Sequence, residues 1–310
     1  MNGRNISLAI VFLMITTITW GGMFPVAKHA LSTIDAFYMT SIRYGVASLI
    51  FIILLYAVEG KKSFDIKGKA LQLYIFGSLG FAGFSLLAFD GLRYSSSVHA
   101  AIIMAMMPVI TVLLNWFING KKPAPVTLLF IIFAFSGVFL VVSKGDWTSI
   151  FNSSVGFGDL MILAGAFCWV RYSMSATSFN GWSPLRFTTL SCALGTISIF
   201  ICTILANLTG YIVTPEFQTI SNVSWELSYL IVLAAVIAVL SWNKGLKMLG
   251  PINGILFINL VPITAFIISA LQGAQFNDYE IFGATLTLLS LVANNVYMRI
   301  ESAKLAVKAA

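Results

Sequence analysis

Residues Gly91–Thr111 read GLRYSSSVHAAIIMAMMPVIT, and Gly245–Ala265 read GLKMLGPINGILFINLVPITA. They align without a gap at a constant offset of 154 residues, which superposes Gly91 on Gly245, Arg93 on Lys247, His99 on Asn253 and Pro108 on Pro262. The offset is about half of the 310-residue chain, so the repeat implies two related halves and not a solenoid of many short units. Other landmarks keep the same order: Trp20 falls on Trp169 at an offset of 149, and Ser136-Gly137-Val138 on Leu289-Ser290-Leu291 at 153.

The chain is 59% hydrophobic and only 9% charged, where a soluble domain carries about a quarter charged residues. That is a membrane composition. Runs of about 20 apolar residues, each long enough to cross a hydrocarbon core of about 30 Å, fall at roughly 6–28, 36–57, 70–90, 96–118, 124–143, 157–178, 185–206, 227–244, 251–272 and 279–299. The sequence therefore predicts an all-α integral membrane protein with ten transmembrane helices. Residues 1–148 form a first five-helix repeat, and residues 149–310 form a second with a short tail, the two making one functional unit. Five is an odd number, so the second repeat enters the membrane from the opposite side and the repeats are inverted.

A net charge of +7 would point to nucleic acid in a soluble protein, but here it reads as topology, and no nucleic-acid partner is expected. With the N-terminus inside, the inner segments hold Arg4, Lys61, Lys62, Lys67, Lys69, Lys121, Lys122, Arg186, Lys244, Lys247, Arg299, Lys304 and Lys308. Both termini are accordingly expected in the cytoplasm, with the chain a multi-pass protein of the cell (inner or plasma) membrane. The first span is too long for a signal peptide and lacks a convincing small-residue cleavage site, so it is read as retained. Cys168, Cys192 and Cys202 lie inside spans at spacings that suit neither a metal nor a disulfide, and read as small packing residues.

Within the spans, polar and helix-breaking residues stand out. Pro108 and Pro262 each remove a backbone donor at membrane depth and predict helix kinks whose unpaired carbonyls need another partner or a wet cavity. Arg43, about two turns into the second span, is read as snorkelling to the outer interface, the alternative being a buried functional charge. The sequence holds no HExxH, no Asp-rich diphosphate motif, no nucleophile with a base nearby and no Walker A loop. Neither an enzyme nor an ATPase is expected, and no cofactor or metal is called for. Inverted repeats are instead the architecture of alternating access, with the binding site at the repeat interface near the midplane.

At this point the whole chain resembles the drug/metabolite transporter superfamily, and within it the ten-span exporters of the EamA type. The resemblance rests on the five-plus-five spans, the tryptophan of span 1, Arg43 early in span 2, and the small-residue turns followed by mid-span prolines at Gly91 to Pro108 and Gly245 to Pro262. It implies a secondary exporter whose central cavity is lined by spans 1, 3, 4, 6, 8 and 9. Among such proteins the exporters of amino acids and aromatic metabolites look nearest, because aromatics are plentiful and the closest carboxylates, Asp90 and Asp159, sit at outer span ends. Drugs, nucleosides or other metabolites are the alternative substrates, and a passive channel is the alternative of another class.

Trp20 and Trp169 occupy matching mid-depth positions where membrane tryptophans are uncommon, and are expected to bind substrate. Met104 and Met107 suit a tolerant cavity or ordinary packing equally well. Phe84, Tyr172, Trp242 and Asn259 are further lining candidates. His99 and Asn253, equivalent under the repeat, are expected near opposite ends of spans 4 and 9 as gates, the alternative being helix caps or headgroup contacts. The expected partners are thus a small-molecule substrate and the lipid bilayer, with the oligomeric state left open and a monomer the simplest case.

Overall fold

A computed structural model describes residues 3–120, 122–146, 154–249 and 255–309. Its regular structure is helical, as expected where no water is present to satisfy open backbone groups. In chain order the helices are α1 (Gly3–Ala30), α2 (Ala36–Glu59), α3 (Ala70–Tyr94), α4 (Ser97–Ala105 followed by Met107–Asn119), α5 (Pro125–Ser143), α6 (Ser154–Ser175) and α7 (Pro184–Leu208). Then come α8 (residues 224–249), α9 (Leu260–Leu271, entered through the 3-10 turn Ile255–Asn259) and α10 (Asp278–Ala309).

Seven of these are long and apolar enough to cross a membrane, and α4 makes an eighth if its two pieces, bent by 44°, count as one span. The ten spans expected from sequence are therefore met in part. Helix α6 has 22 residues but carries Asp159 and Arg171, and α9 has only 12. The boundary between repeats at residue 148 and the gate residue Asn253 lie outside the described residues.

The ends of the helices follow local chemistry. Asp35 caps α2 by accepting from the Phe37 and Tyr38 amides at 2.8 and 2.9 Å, satisfying two donors that a helix start leaves open. Ser96 and Ser183 do the same for α4 and α7, bonding the amides three residues on at 3.1 and 2.9 Å. Outward, the bundle presents large apolar side chains such as Leu49, Ile53, Phe117, Ile132, Phe282 and Leu289, as a lipid-facing surface requires.

Packing is closest where small residues let backbones meet. Helices α5 and α10 touch at Gly137 and Gly283: a Cβ on Gly137 would stand 2.5 Å from the Gly283 carbonyl, and one on Gly283 would stand 2.6 Å from that of Gly137. Helix α3 meets α6 at Gly91 and Gly158, with equivalent gaps of 2.6 and 2.5 Å. The other extensive pairings are α1 on α8 and α2 on α7.

One end of the bundle is basic. There Arg186 donates to the Asp65 carbonyl, Lys69 to that of Ser178 at 2.9 Å, and Ser183 to Glu59, tying the 60–69 loop to the 176–184 link. At the opposite end His29 meets Glu226 at 2.7 Å, Tyr211 donates to Asp90 at 3.0 Å, and Lys28 donates to the carbonyls of Leu92, Arg93 and Ser95 at 2.7, 3.1 and 2.8 Å.

Candidate functional site

A cavity of about 530 Å³ lies inside the bundle and reaches the basic end, where Trp182, Ser183 and Pro184 line it. Trp20, Phe84, Met104, Met107, Pro108, Trp169, Tyr172 and Trp242, picked out in the sequence, all contribute to its wall. The wall also takes in α2, through Arg43, Tyr44 and Phe51, and the start of α7, through Phe187 and Thr188, so it is wider than the six spans implied by the family resemblance.

Two departures from helical regularity shape this wall. Helix α3 passes through a π-helical stretch at Ser78–Gly83, and α8 through another at Tyr229–Ile237. A π turn widens the helix and disturbs the ordinary ladder of carbonyls, which is why such turns gather at functional sites. In α8 the carbonyls find side-chain donors on α1: the Trp20 indole donates to Ala234 at 3.1 Å, and Thr16 donates to Ala238 at 3.0 Å. In the other direction the Tyr229 hydroxyl donates to the Thr19 carbonyl at 2.8 Å. Trp20 is thereby fixed beside Trp242, their ring centroids 5.5 Å apart.

Trp169 is held by rings instead. It lies 5.3 Å from Phe84, 5.4 Å from Tyr172 and 6.3 Å from Phe81, centroid to centroid. Tyr172 stacks on Phe187 at 5.2 Å, with its hydroxyl 3.1 Å from that of Ser191. The cavity is thus bounded on several sides by flat, polarisable surfaces.

Pro108 sits at the start of the second piece of α4, just past the break at Met106, and it cannot donate to the Met104 carbonyl. Met104 and Pro108 both face the cavity, so the kink expected from sequence opens there. Pro262 is buried in the first turn of α9 and does not line the cavity, although its neighbours Ile258 and Val261 do. Asn259, expected in the lining, is also absent from it: it is 5% exposed, with neither amide atom hydrogen-bonded.

His99 lies away from the cavity and is neither a cap nor a headgroup contact. It is 1% exposed, with Nδ1 3.2 Å from Asp159 Oδ2 and Nε2 3.7 Å from Glu280 Oε1. Lys144 reaches the same Glu280 oxygen at 3.2 Å, and the Ser95 hydroxyl donates to Asp159. This cluster joins α4, α6, α10 and the end of α5 at the end of the bundle opposite the basic loops. The partners of His99 are 60 and 181 positions away in sequence, and no local pattern announces them.

Arg43 overturns the snorkelling reading. Its side chain is turned inward, 3% exposed, and it lines the cavity.

A sequence model of one family, described as the EamA-like transporter family, matches residues 7–143 and again residues 156–296. The chain belongs to that family. Among its relatives, the uncharacterized transporter YrdR of Bacillus subtilis is 39% identical over 297 residues, spanning 94% of this chain and 92% of the relative. YyaM of the same organism, also named an uncharacterized transporter, is 29% identical over 302 residues, 96% of each chain. An uncharacterized inner membrane transporter of Salmonella typhimurium, YicL, is 23% identical over 90% of this chain and 92% of its own. A solved crystal structure shares the fold with a TM-score of 0.66 at 16% identity, covering 94% of this chain and 98% of that one. This member of the family is therefore a multi-pass membrane protein of a transporter lineage.

Proposed function

We propose that the chain is a secondary carrier that exports small solutes with a hydrophobic or aromatic body, neutral and aromatic amino acids foremost, by alternating access. The observation that carries this reading is the cavity of about 530 Å³ walled by Trp20, Trp169, Phe81, Phe84, Tyr172 and Trp242, with no carboxylate among the described residues that line it. Its size falls in the range of small-molecule sites. A site for lipophilic cations would be expected to offer a buried acid.

Alternating access is supported by the pairing of helices. Exchanging α1–α5 with α6–α10 maps α2 on α7 and α5 on α10 onto themselves, and converts α1 on α8 into α6 on α3. Gly91 and Gly245, equivalent in sequence, lie in those last two contacts, Gly91 against α6 and Gly245 against Leu13 of α1. Two successive matches to one family model argue the same way. With the basic end taken as cytoplasmic, this conformation is inward-open. Its outer closure is then made by Lys28 on the α3–α4 link and by the cluster around His99, which gives His99 its role as an outer gate. Asn253 would be the inner counterpart.

Counterflow of labelled phenylalanine, leucine, threonine and alanine in proteoliposomes tests the reading. Saturable exchange favouring phenylalanine and leucine is expected. Movement of lipophilic cations with no exchange of any amino acid would refute it.

A further inference from the structure

Arg43 stands in the third turn of α2, about 10 Å along the helix from its start, and is 3% exposed. Its Nη2 donates to the Met23 sulfur at 3.4 Å, a weak acceptor. Its Nε and Nη1 have no hydrogen-bond partner. The guanidinium carbon lies 5.0 Å from the centroid of the Tyr44 ring and 5.3 Å from that of Phe89. Among the described residues no carboxylate comes within ion-pair distance of it, and every other side chain lining the cavity is formally uncharged.

A buried guanidinium held by aromatic faces and a thioether is only partly compensated, because ring faces replace little of the hydration lost on burial. The N–H groups on Nε and Nη1 are left without acceptors, and either one, together with the second N–H of Nη2, forms the fork that matches the two oxygens of a carboxylate. We propose that Arg43 is the carboxylate-recognition site of the cavity, so that the solute carries a carboxylate on an apolar or aromatic body and brings the missing counter-ion with it. This deepens the carrier reading and rests on the cavity being the solute site. An ammonium on the same solute would find ring faces and oxygens such as those of Thr111 and Asn243 but no counter-charge among the described lining residues, so the carboxylate and the aromatic body do most of the selecting.

Three probes of one shape separate the charges: 3-phenylpropanoate has the carboxylate alone, phenethylamine the amine alone, and L-phenylalanine both. Binding to the purified full chain is read by thermal stabilisation in detergent, and transport by counterflow in proteoliposomes. We expect 3-phenylpropanoate and phenylalanine to stabilise the wild type and phenethylamine to have no effect at equal concentration. Arg43→Gln should weaken both carboxylate ligands at least tenfold, with Arg43→Lys intermediate because it keeps charge without the fork. If Arg43→Gln does not fold, the wild-type ranking of the probes and the Arg43→Lys variant decide. No stabilisation by 3-phenylpropanoate, equal binding of phenethylamine, or a folded Arg43→Gln with unchanged carboxylate affinity would each overturn the assignment. Arg43-dependent binding of 3-phenylpropanoate without phenylalanine exchange would leave Arg43 standing and remove the amino-acid reading. Phenylalanine exchange that ignores Arg43 would do the reverse.

Discussion

Trp20 and Trp169 face the same cavity from different settings, one anchored by its indole N–H to the Ala234 carbonyl and the other by three neighbouring rings. Replacing Trp20 by Phe keeps an aromatic surface but removes that hydrogen bond, whose net worth is about 0.5–1.5 kcal/mol. The expected result is a modest loss of thermal stability with aromatic exchange retained. Trp20→Ala or Trp169→Ala also removes the ring, so exchange of aromatic substrates should fall several-fold more than that of threonine or alanine, at about 1 kcal/mol per lost contact. Equal loss for all substrates in counterflow would make the tryptophans structural. Both residues were legible in the sequence because a mid-span tryptophan departs from the interfacial habit of that residue. Arg43 was legible only as two alternatives. A position two turns into a span looks the same whether the side chain climbs to the interface or turns inward, and what settles it is the placement of Met23 and Phe89 around it, on the two helices that flank α2 and whose packing the local pattern does not give. Asn259 shows the opposite error: a polar residue near a kink is easily assigned to the cavity, yet the turn of α9 leaves it buried beside the lining residues Ile258 and Val261.

Helix α4 breaks where its sequence reads Met106-Met107-Pro108, and the 44° bend follows from the donor and the space that proline denies to the turn before it. Pro108→Ala restores an amide that can reach the Met104 carbonyl. Spin labels at Ser97 and Phe117 should then move apart as the two pieces straighten, and exchange should slow. An unchanged distance would show that neighbouring helices, and not the proline, set the bend. The π stretches of α3 and α8 could not be read in advance, since no residue pattern distinguishes SLGFAG or YLIVLAAVI from an ordinary helix, and in α8 the freed carbonyls depend on donors that α1 supplies. Glycines divide by their surroundings. At Gly137 a methyl would meet the Gly283 carbonyl at 2.5 Å across two rigid helices, so Gly137→Ala should lower stability by about 1–3 kcal/mol. At Gly45 the nearest atom is the Phe200 ring at 3.4 Å, an ordinary contact. Gly45→Ala should therefore be neutral or gain up to about 1 kcal/mol of helix propensity. Thermal unfolding of the two variants in detergent checks the contrast, and an equal response would deny that the α5–α10 contact is limiting.

In the whole bundle, α1, α3, α5 and α7 end at the side that holds Lys28, Asp90, Lys144 and Tyr211, while α2, α4, α6, α8 and α10 begin there. Helices α1 and α6 thus run in opposite directions, as the proposed inverted repeat requires. Alternating access then asks that the polar contacts at this side be broken whenever the cavity opens toward it. His99 is the most buried of them, and its removal leaves Asp159 and Glu280 without their shared partner in a region that excludes water. His99→Leu should consequently weaken the closure, shifting the population away from the present conformation. The shift can be read with single cysteines in a background lacking Cys168, Cys192 and Cys202. Lys67→Cys and Ser221→Cys, both at exposed positions, report the two faces of the membrane and should label from opposite sides, Lys67→Cys from the cytoplasm. A third cysteine at the cavity residue Thr111 should lose reactivity toward cytoplasmic reagent and gain it toward external reagent when His99→Leu is added. Labelling of Lys67→Cys and Ser221→Cys from one side would remove the inverted topology and the gate with it. Opposite labelling with no change at Thr111→Cys would keep the topology and show that the closure is held by Lys28 and its three carbonyls instead.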